Sequence, residues 1–282
     1  MSKFGEIGLI EDVNKSVWQY IRRRWGWKFF LPAILLILLQ VTSAYYVGGN
    51  IAMRLIVVPF IWIIGGIGFA QSKVRAEFMR QFALRNNFTY VGAGDPGSAL
   101  GALFQRGHSR EIADTVSGVL DGYEFRFFFF YYTVGSGKHK KTYTYTVCEI
   151  KTKGNAPDIV VESRADWDFQ SYASGRQKEM PVESSFKELF ALFAPEDFEI
   201  ETLEIFTPDV LSELINRAQK YNFEFIEDRL YVFRLGEIGK RAELEEFLKL
   251  TDYLVDTVVP KVFRLSDDVH ALKEARARNE AR

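Results

Sequence analysis

Few residues in this chain are equipped for chemistry. Three histidines, His108, His139 and His270, and a single cysteine, Cys148, are the only soft ligands or bases with pKa values near neutrality. No two of them stand at zinc-binding spacing, so neither a structural zinc nor an intramolecular disulfide is expected. His108–Ser109 in "RGHSR" is the one place where a nucleophile adjoins a base. Neighbouring side chains usually point apart, and no G-x-S-x-G elbow surrounds the serine. A turn in which these side chains cap backbone groups is the simpler reading. Glu196 and Asp197 follow Pro195 in "APEDF", as a loop or helix start rather than a matched acid pair.

The stretch "FFFFYYTVGSGKHKKTYTYTV", Phe127 to Val147, carries a second possibility, because "VGSGK" resembles part of a phosphate-cradling loop. A P-loop requires G-x-x-x-x-G-K-[ST] between a strand and a helix. Here Tyr132 holds the first glycine position, His139 replaces the magnesium-binding hydroxyl, and "KKTYTYTV" continues as strand. "TVGSG" also resembles a potassium-channel filter, but it lies outside both apolar runs described below. A β-hairpin tip fits better, with Lys138, His139, Lys140 and Lys141 as a solvated loop or as a contact for lipid or an acidic partner. No cofactor, no metal and no catalytic residue is expected.

The elements around that hairpin are legible. "Leu120-Asp-Gly-Tyr123" is a two-residue turn signal of the primed type. It joins a strand from about 111–120 to one over 123–132, and the loop returns into a third strand over 142–152, a three-stranded antiparallel meander. Phe125, Phe127, Phe129 and Tyr131 face one way, and Phe128, Phe130 and Tyr132 the other, so the middle strand should be central and covered on both faces. Cys148 falls within the third strand as a buried or half-buried small residue. Further on, 158–162 reads as a short strand, 167–181 as a surface loop, 185–193 as a helix and 198–206 as a strand. Thr207-Pro208 opens a helix, 223–233 gives two strands with a turn near Glu227–Asp228, and a long helix from about Lys240 is disturbed at Pro260. "VGAGDPGSALG", from Val91, reads as a turn-rich domain entry.

The N-terminal quarter differs in kind. "FFLPAILLILLQVTSAYYV", Phe29 to Val47, carries no charge, and "IAMRLIVVPFIWIIGGIGFA", Ile51 to Ala70, carries only Arg54. Each run is about as long as the roughly 20 apolar residues that cross a bilayer, and Gly48–Asn50 allows only a tight turn. These runs predict a transmembrane hairpin. Nine basic residues flank it on the side of both termini, which places both ends in the cytoplasm of a bacterial inner membrane. Trp18, Arg22, Arg23, Arg24, Trp25, Trp27 and Lys28 then mark the interface with membrane lipid. An amphipathic helix over residues 7–21, lying on that surface or on the protein itself, precedes them. Gly65, Gly66 and Gly68 would let helices approach closely, within the hairpin or between copies.

The domain scheme is therefore an N-terminal segment (1–28), a hairpin (29–70), a helical stalk (71–87), a cytoplasmic α+β domain (88–265) and a charged tail (266–282). Residues 71–282 hold 29 basic and 34 acidic side chains, a mild acidity that argues against nucleic acid as a partner. "GSALGALFQRGHSREIADTVSGVLDGYEFRFFFFYYTVGSGKHKKTYTYTVCEI", with "EIFTPDVLSELI" and "RLYVF", resembles a group of bacterial membrane proteins defined only as a domain of unknown function. The resemblance covers about residues 88–259. It implies a paired hydrophobic segment ahead of a cytoplasmic domain, and no catalytic residues. The function expected is an anchored interaction or scaffold module that binds a protein partner or its own copies. The alternatives are an oligomeric channel or transport accessory, and a membrane-associated hydrolase.

Overall fold

The computed structural model describes residues 13–47, 57–120, 122–165 and 177–280. Its contacts divide the chain into a helical unit that ends at Gln81 and an α+β unit over Phe82–Ile238 and Ala242–Arg282.

The helical unit contains α1 (Val13–Arg24), a 3-10 turn (Gly26–Phe29), α2 (Leu31–Val47) and α3 (Val57–Arg85), whose last turn passes into the α+β unit. Arg22, Arg23 and Arg24 occupy the last turn of α1, where the carbonyl end of the helix dipole favours cations. Gly26 then turns the chain with φ +53°. α2 has 17 residues, which at 1.5 Å per residue reach about 25 Å, short of the roughly 30 Å hydrocarbon layer. α3 carries its apolar run only as far as Ala70, after which Gln71, Lys73 and Arg75 enter the helix. No helix among the described residues is long and apolar enough to cross a membrane. The expected transmembrane hairpin is thereby overturned, and the placement as a multi-pass inner-membrane protein goes with it. The expected turn at Gly48–Asn50 lies outside the described residues.

The α+β unit is built on one antiparallel sheet of seven strands, ordered β1-β2-β3-β4-β6-β5, with β7 also paired to β4. The strands are β1 (Thr89–Gly94), β2 (His108–Leu120), β3 (Tyr123–Val134), β4 (Lys141–Ser163), β5 (Gln177–Glu179), β6 (Phe190–Pro195) and β7 (Asn222–Leu235). β4 is the spine. Its first half lies between β3 and β7, and its end pairs β6 as well. The meander forms as expected, and Phe127, Phe128, Phe129 and Phe130 are wholly buried because both faces are covered. On one face Phe128 and Phe130 pack with Tyr231, Phe233 and Phe104, the last carried by the segment between β1 and β2. On the other, Phe127 meets Phe82 and Phe247 edge-on.

The helices of this unit are α4 (Ser184–Leu189), α5 (Glu199–Ile205), α6 (Pro208–Arg217), α7 (Arg241–Tyr253) and α8 (Val259–Glu280). Several sequence expectations change here. Val91–Gly94 belongs to a paired strand, not to a turn-rich entry. The helix expected over 185–193 ends at Leu189, and Phe190–Pro195 becomes the fully buried β6. The strand expected over 198–206 is α5. The two strands expected over 223–233 are one strand, bent by a bulge where Glu227 takes φ +52° opposite Ala156. Thr207 does sit at the N-cap of α6 with Pro208 at its first position, but its hydroxyl accepts from Lys261 Nζ (2.8 Å) instead of capping. The disturbance at Pro260 is a π-helical turn at Leu254–Val258 between α7 and α8. A proline ring crowds the carbonyl four residues back, and the wider turn relieves it.

Candidate functional site

The hairpin end brings together the residues that sequence alone singles out for chemistry. Gly135 and Gly137 take φ +78° and +57°, and a Cβ on Gly135 would lie 2.5 Å from the His139 carbonyl oxygen. The glycines of "VGSGK" thus serve a tight turn, a 3-10 turn over Gly137–His139 follows, and no helix does. Lys138, His139, Lys140 and Lys141 are all exposed there, and Lys141 Nζ stands 4.6 Å from the Tyr143 ring centroid.

Beside this tip, His108 and Ser109 do meet, contrary to expectation. Ser109 adopts φ +51°, within a register shift of β2, and this left-handed residue turns its hydroxyl to 3.1 Å from His108 Nδ1. His108 Nε2 lies 2.9 Å from the Gly135 carbonyl oxygen. A carbonyl can only accept, so Nε2 carries a proton, and in the neutral ring Nδ1 then accepts from Ser109. The arrangement is a base–hydroxyl pair whose orienting partner is a carbonyl in place of a carboxylate. His270 is remote from it, exposed on α8 and paired with Glu274 at 3.2 Å. Cys148 is wholly buried, and that burial pushes its thiol well above its ordinary pKa. Among the described residues no cluster of three or more metal-ligating side chains occurs.

A polar belt that sequence reasoning missed fastens the segment 95–105 onto the sheet. Arg126, Glu149 and Tyr231 are register neighbours on β3, β4 and β7. Glu149, almost fully buried, accepts from Arg126 Nε (2.9 Å) and Nη2 and from Arg229 Nη1. Arg126 Nη1 donates to Ser98 Oγ (2.8 Å), and the Leu100 N–H donates to the Tyr231 hydroxyl (3.0 Å). The Ala102 N–H donates to both Glu224 carboxylate oxygens at 3.1 Å. Glu224 is buried; desolvation raises its pKa to about 7, the Ala102 hydrogen bond opposes that rise, and Asp158 and Glu162 add to it. Gly101 between these contacts has φ +99°, and a Cβ there would lie 2.5 Å from Glu224 Oε2. The signal available in the sequence was the alternation of Glu124, Arg126 and Phe128 on one strand face, which becomes informative only when the β4 and β7 registers are known.

The helical unit displays the other expected residues. Trp18, Trp27, Arg22, Arg23, Arg24 and Lys28 are exposed. Trp25 instead stacks on Phe29, with centroids 5.2 Å apart and planes 7° apart, and lies 6.0 Å from Phe69. Trp62 Nε1 donates to the Phe29 carbonyl oxygen at 3.2 Å. Gly66 is where the chain closes on itself: a Cβ would fall 2.3 Å from Phe29 Cε2. Gly65 and Gly68 face open space. α2 leaves Ile34, Leu35, Leu38, Leu39 and Val41 half exposed or more, and α3 does the same with Ile61, Trp62, Ile64 and Phe69.

No protein-family model matches this chain, and no curated protein matches it significantly. One solved structure shares its fold. The crystal structure of the mycobacterial trehalose monomycolate transport factor A, TtfA, superposes with a TM-score of 0.50 at 8% identity, covering 65% of this chain and 96% of that one. At that identity the likeness concerns the fold.

Proposed function

We propose that this protein is an interaction module that assembles with further copies of itself through the apolar surface of α2 and α3. The observation that carries this reading is the exposure of that surface. α2 contains no charged residue, and Leu35, Leu38, Leu39 and Val41 are 56–64% exposed. Monomeric proteins rarely leave contiguous apolar patches of more than a few hundred Å² in water. An uncharged patch is self-complementary, which suits a two-fold interface where the same surface meets itself. Gly65 and Gly68, with space beside them, leave room for a second backbone to come close.

The full chain, examined by mass photometry, is expected at twice the 32.5 kDa chain mass or more. The variant Leu38→Glu should return it to one chain mass. A wild type that stays at one chain mass at micromolar concentration would overturn the proposal. A second reading, an accessory to a transport assembly, draws on the fold shared with a protein named as a transport factor; a fold by itself does not carry an activity. A hydrolase reading would ask for a carboxylate on His108, and the Gly135 carbonyl takes that place.

A further inference from the structure

At the end of the Phe128 face, the aromatic packing gives way to a cleft of about 120 Å³ lined by Glu124, Phe125, Arg126, Glu149, Lys151 and Arg229. A water's share of liquid volume is about 30 Å³, so the cleft holds a group of a few heavy atoms. We propose that it is a binding subsite for a single carboxylate of a ligand.

Three cations and two carboxylates line the cleft, an excess of one positive charge that one monoanionic group would neutralise. The cations are not equally engaged. Arg126 spends Nε and Nη2 on Glu149 and Nη1 on Ser98 Oγ, so it is fixed in place. Arg229 gives Nη1 to Glu149 and also bonds Tyr231. Its Nε is buried without a hydrogen-bond partner, the nearest acid being Asp228 at 3.6 Å. Lys151 Nζ has only Glu124, at 3.7 Å, beyond hydrogen-bond reach, with both side chains largely exposed. Arg229 and Lys151 are direct register partners on β7 and β4, so the two cations stand side by side. A guanidinium beside an ammonium is an arrangement that recognises a carboxylate. Glu149 already shows that geometry, since it receives two guanidiniums at once. Glu124 at the mouth disfavours a dianion and competes with the ligand for Lys151.

The test is a titration of the isotopically labelled full chain with acetate against chloride at constant ionic strength, followed by the amide signals of Arg126, Glu149 and Lys151. Acetate should shift these signals saturably where chloride does not. Lys151→Met, which leaves the Glu149 pairs intact, should weaken acetate binding roughly fivefold, the upper scale of one exposed ion pair. Glu124→Gln should strengthen it by a similar factor. Indifference to acetate, or equal response in all three proteins, would overturn the proposal. Tighter binding of inorganic phosphate than of acetate would overturn the assignment to a carboxylate.

Discussion

Glu224 makes the stability of the α+β unit depend on pH in a direction opposite to that of most carboxylates. Its side chain is buried under the 95–105 segment, where desolvation raises its pKa from 4.5 to about 7. In the unfolded chain the carboxyl ionises near its ordinary value, so between about pH 4.5 and 7 the folded state holds more protons. Stability must therefore fall as pH rises through that window, and the contribution is fully present below it and lost above it. The 2.5-unit difference corresponds to about 3 kcal/mol at 1.36 kcal/mol per unit. Glu224→Gln keeps a carbonyl oxygen for the Ala102 N–H and cannot ionise, so it isolates this contribution from every other titration. Urea unfolding at pH 5 and pH 8 is the assay. Relative to the glutamine variant, the wild type should lose about 2.5 kcal/mol between the two pH values, the first part of the loss lying below pH 5. Parallel behaviour of the two proteins would refute the argument that an ionised Glu224 is poorly solvated beneath the segment.

Other consequences are equally concrete. Gly101→Ala places a Cβ against Glu224 in a left-handed backbone, and should cost about 1–3 kcal/mol by chemical denaturation; an unchanged midpoint would count against the tight contact. Gly66→Ala should lower the thermal midpoint and alter Trp fluorescence, because the Phe29 ring has to move, while Gly65→Ala and Gly68→Ala should leave the isolated fold unchanged. Phe127→Ala, emptying a wholly buried ring site between Phe82 and Phe247, should cost about 3–5 kcal/mol in urea unfolding. Cys148 should resist a thiol reagent at neutral pH until the chain unfolds; rapid labelling of the native protein would contradict its burial.

The meander was legible because period-two patterning and the Asp-Gly signal agree over a long stretch. Its neighbours were not, for identifiable reasons. Phe190–Pro195 is a short apolar run, and such runs do not distinguish a buried strand from a buried helix. α5 carries β-favouring residues at its centre, and its burial of Thr202 and Ile205 overrode local preference. Glu227–Asp228 signals a break, yet pairing on both sides continues, so the chain bulges without turning back. For the apolar N-terminal runs, composition gave long hydrophobic stretches but not where helices begin and end: α2 has 17 residues and α3 turns polar halfway. The charged cleft and the Glu224 contact join residues far apart in sequence, 80 apart for Glu149 and Arg229 and 122 apart for Ala102 and Glu224, and no local pattern announces them.

Self-association through α2 is the central claim, and the chain offers a direct measurement of it. Cys148 is the single cysteine and is buried, so a cysteine introduced on the surface becomes the reactive one. Leu38→Cys should form a disulfide-linked dimer under mild oxidation, while Val119→Cys, equally exposed on β2, should not. Absence of the Leu38→Cys dimer, or equal crosslinking at both positions, would contradict the account.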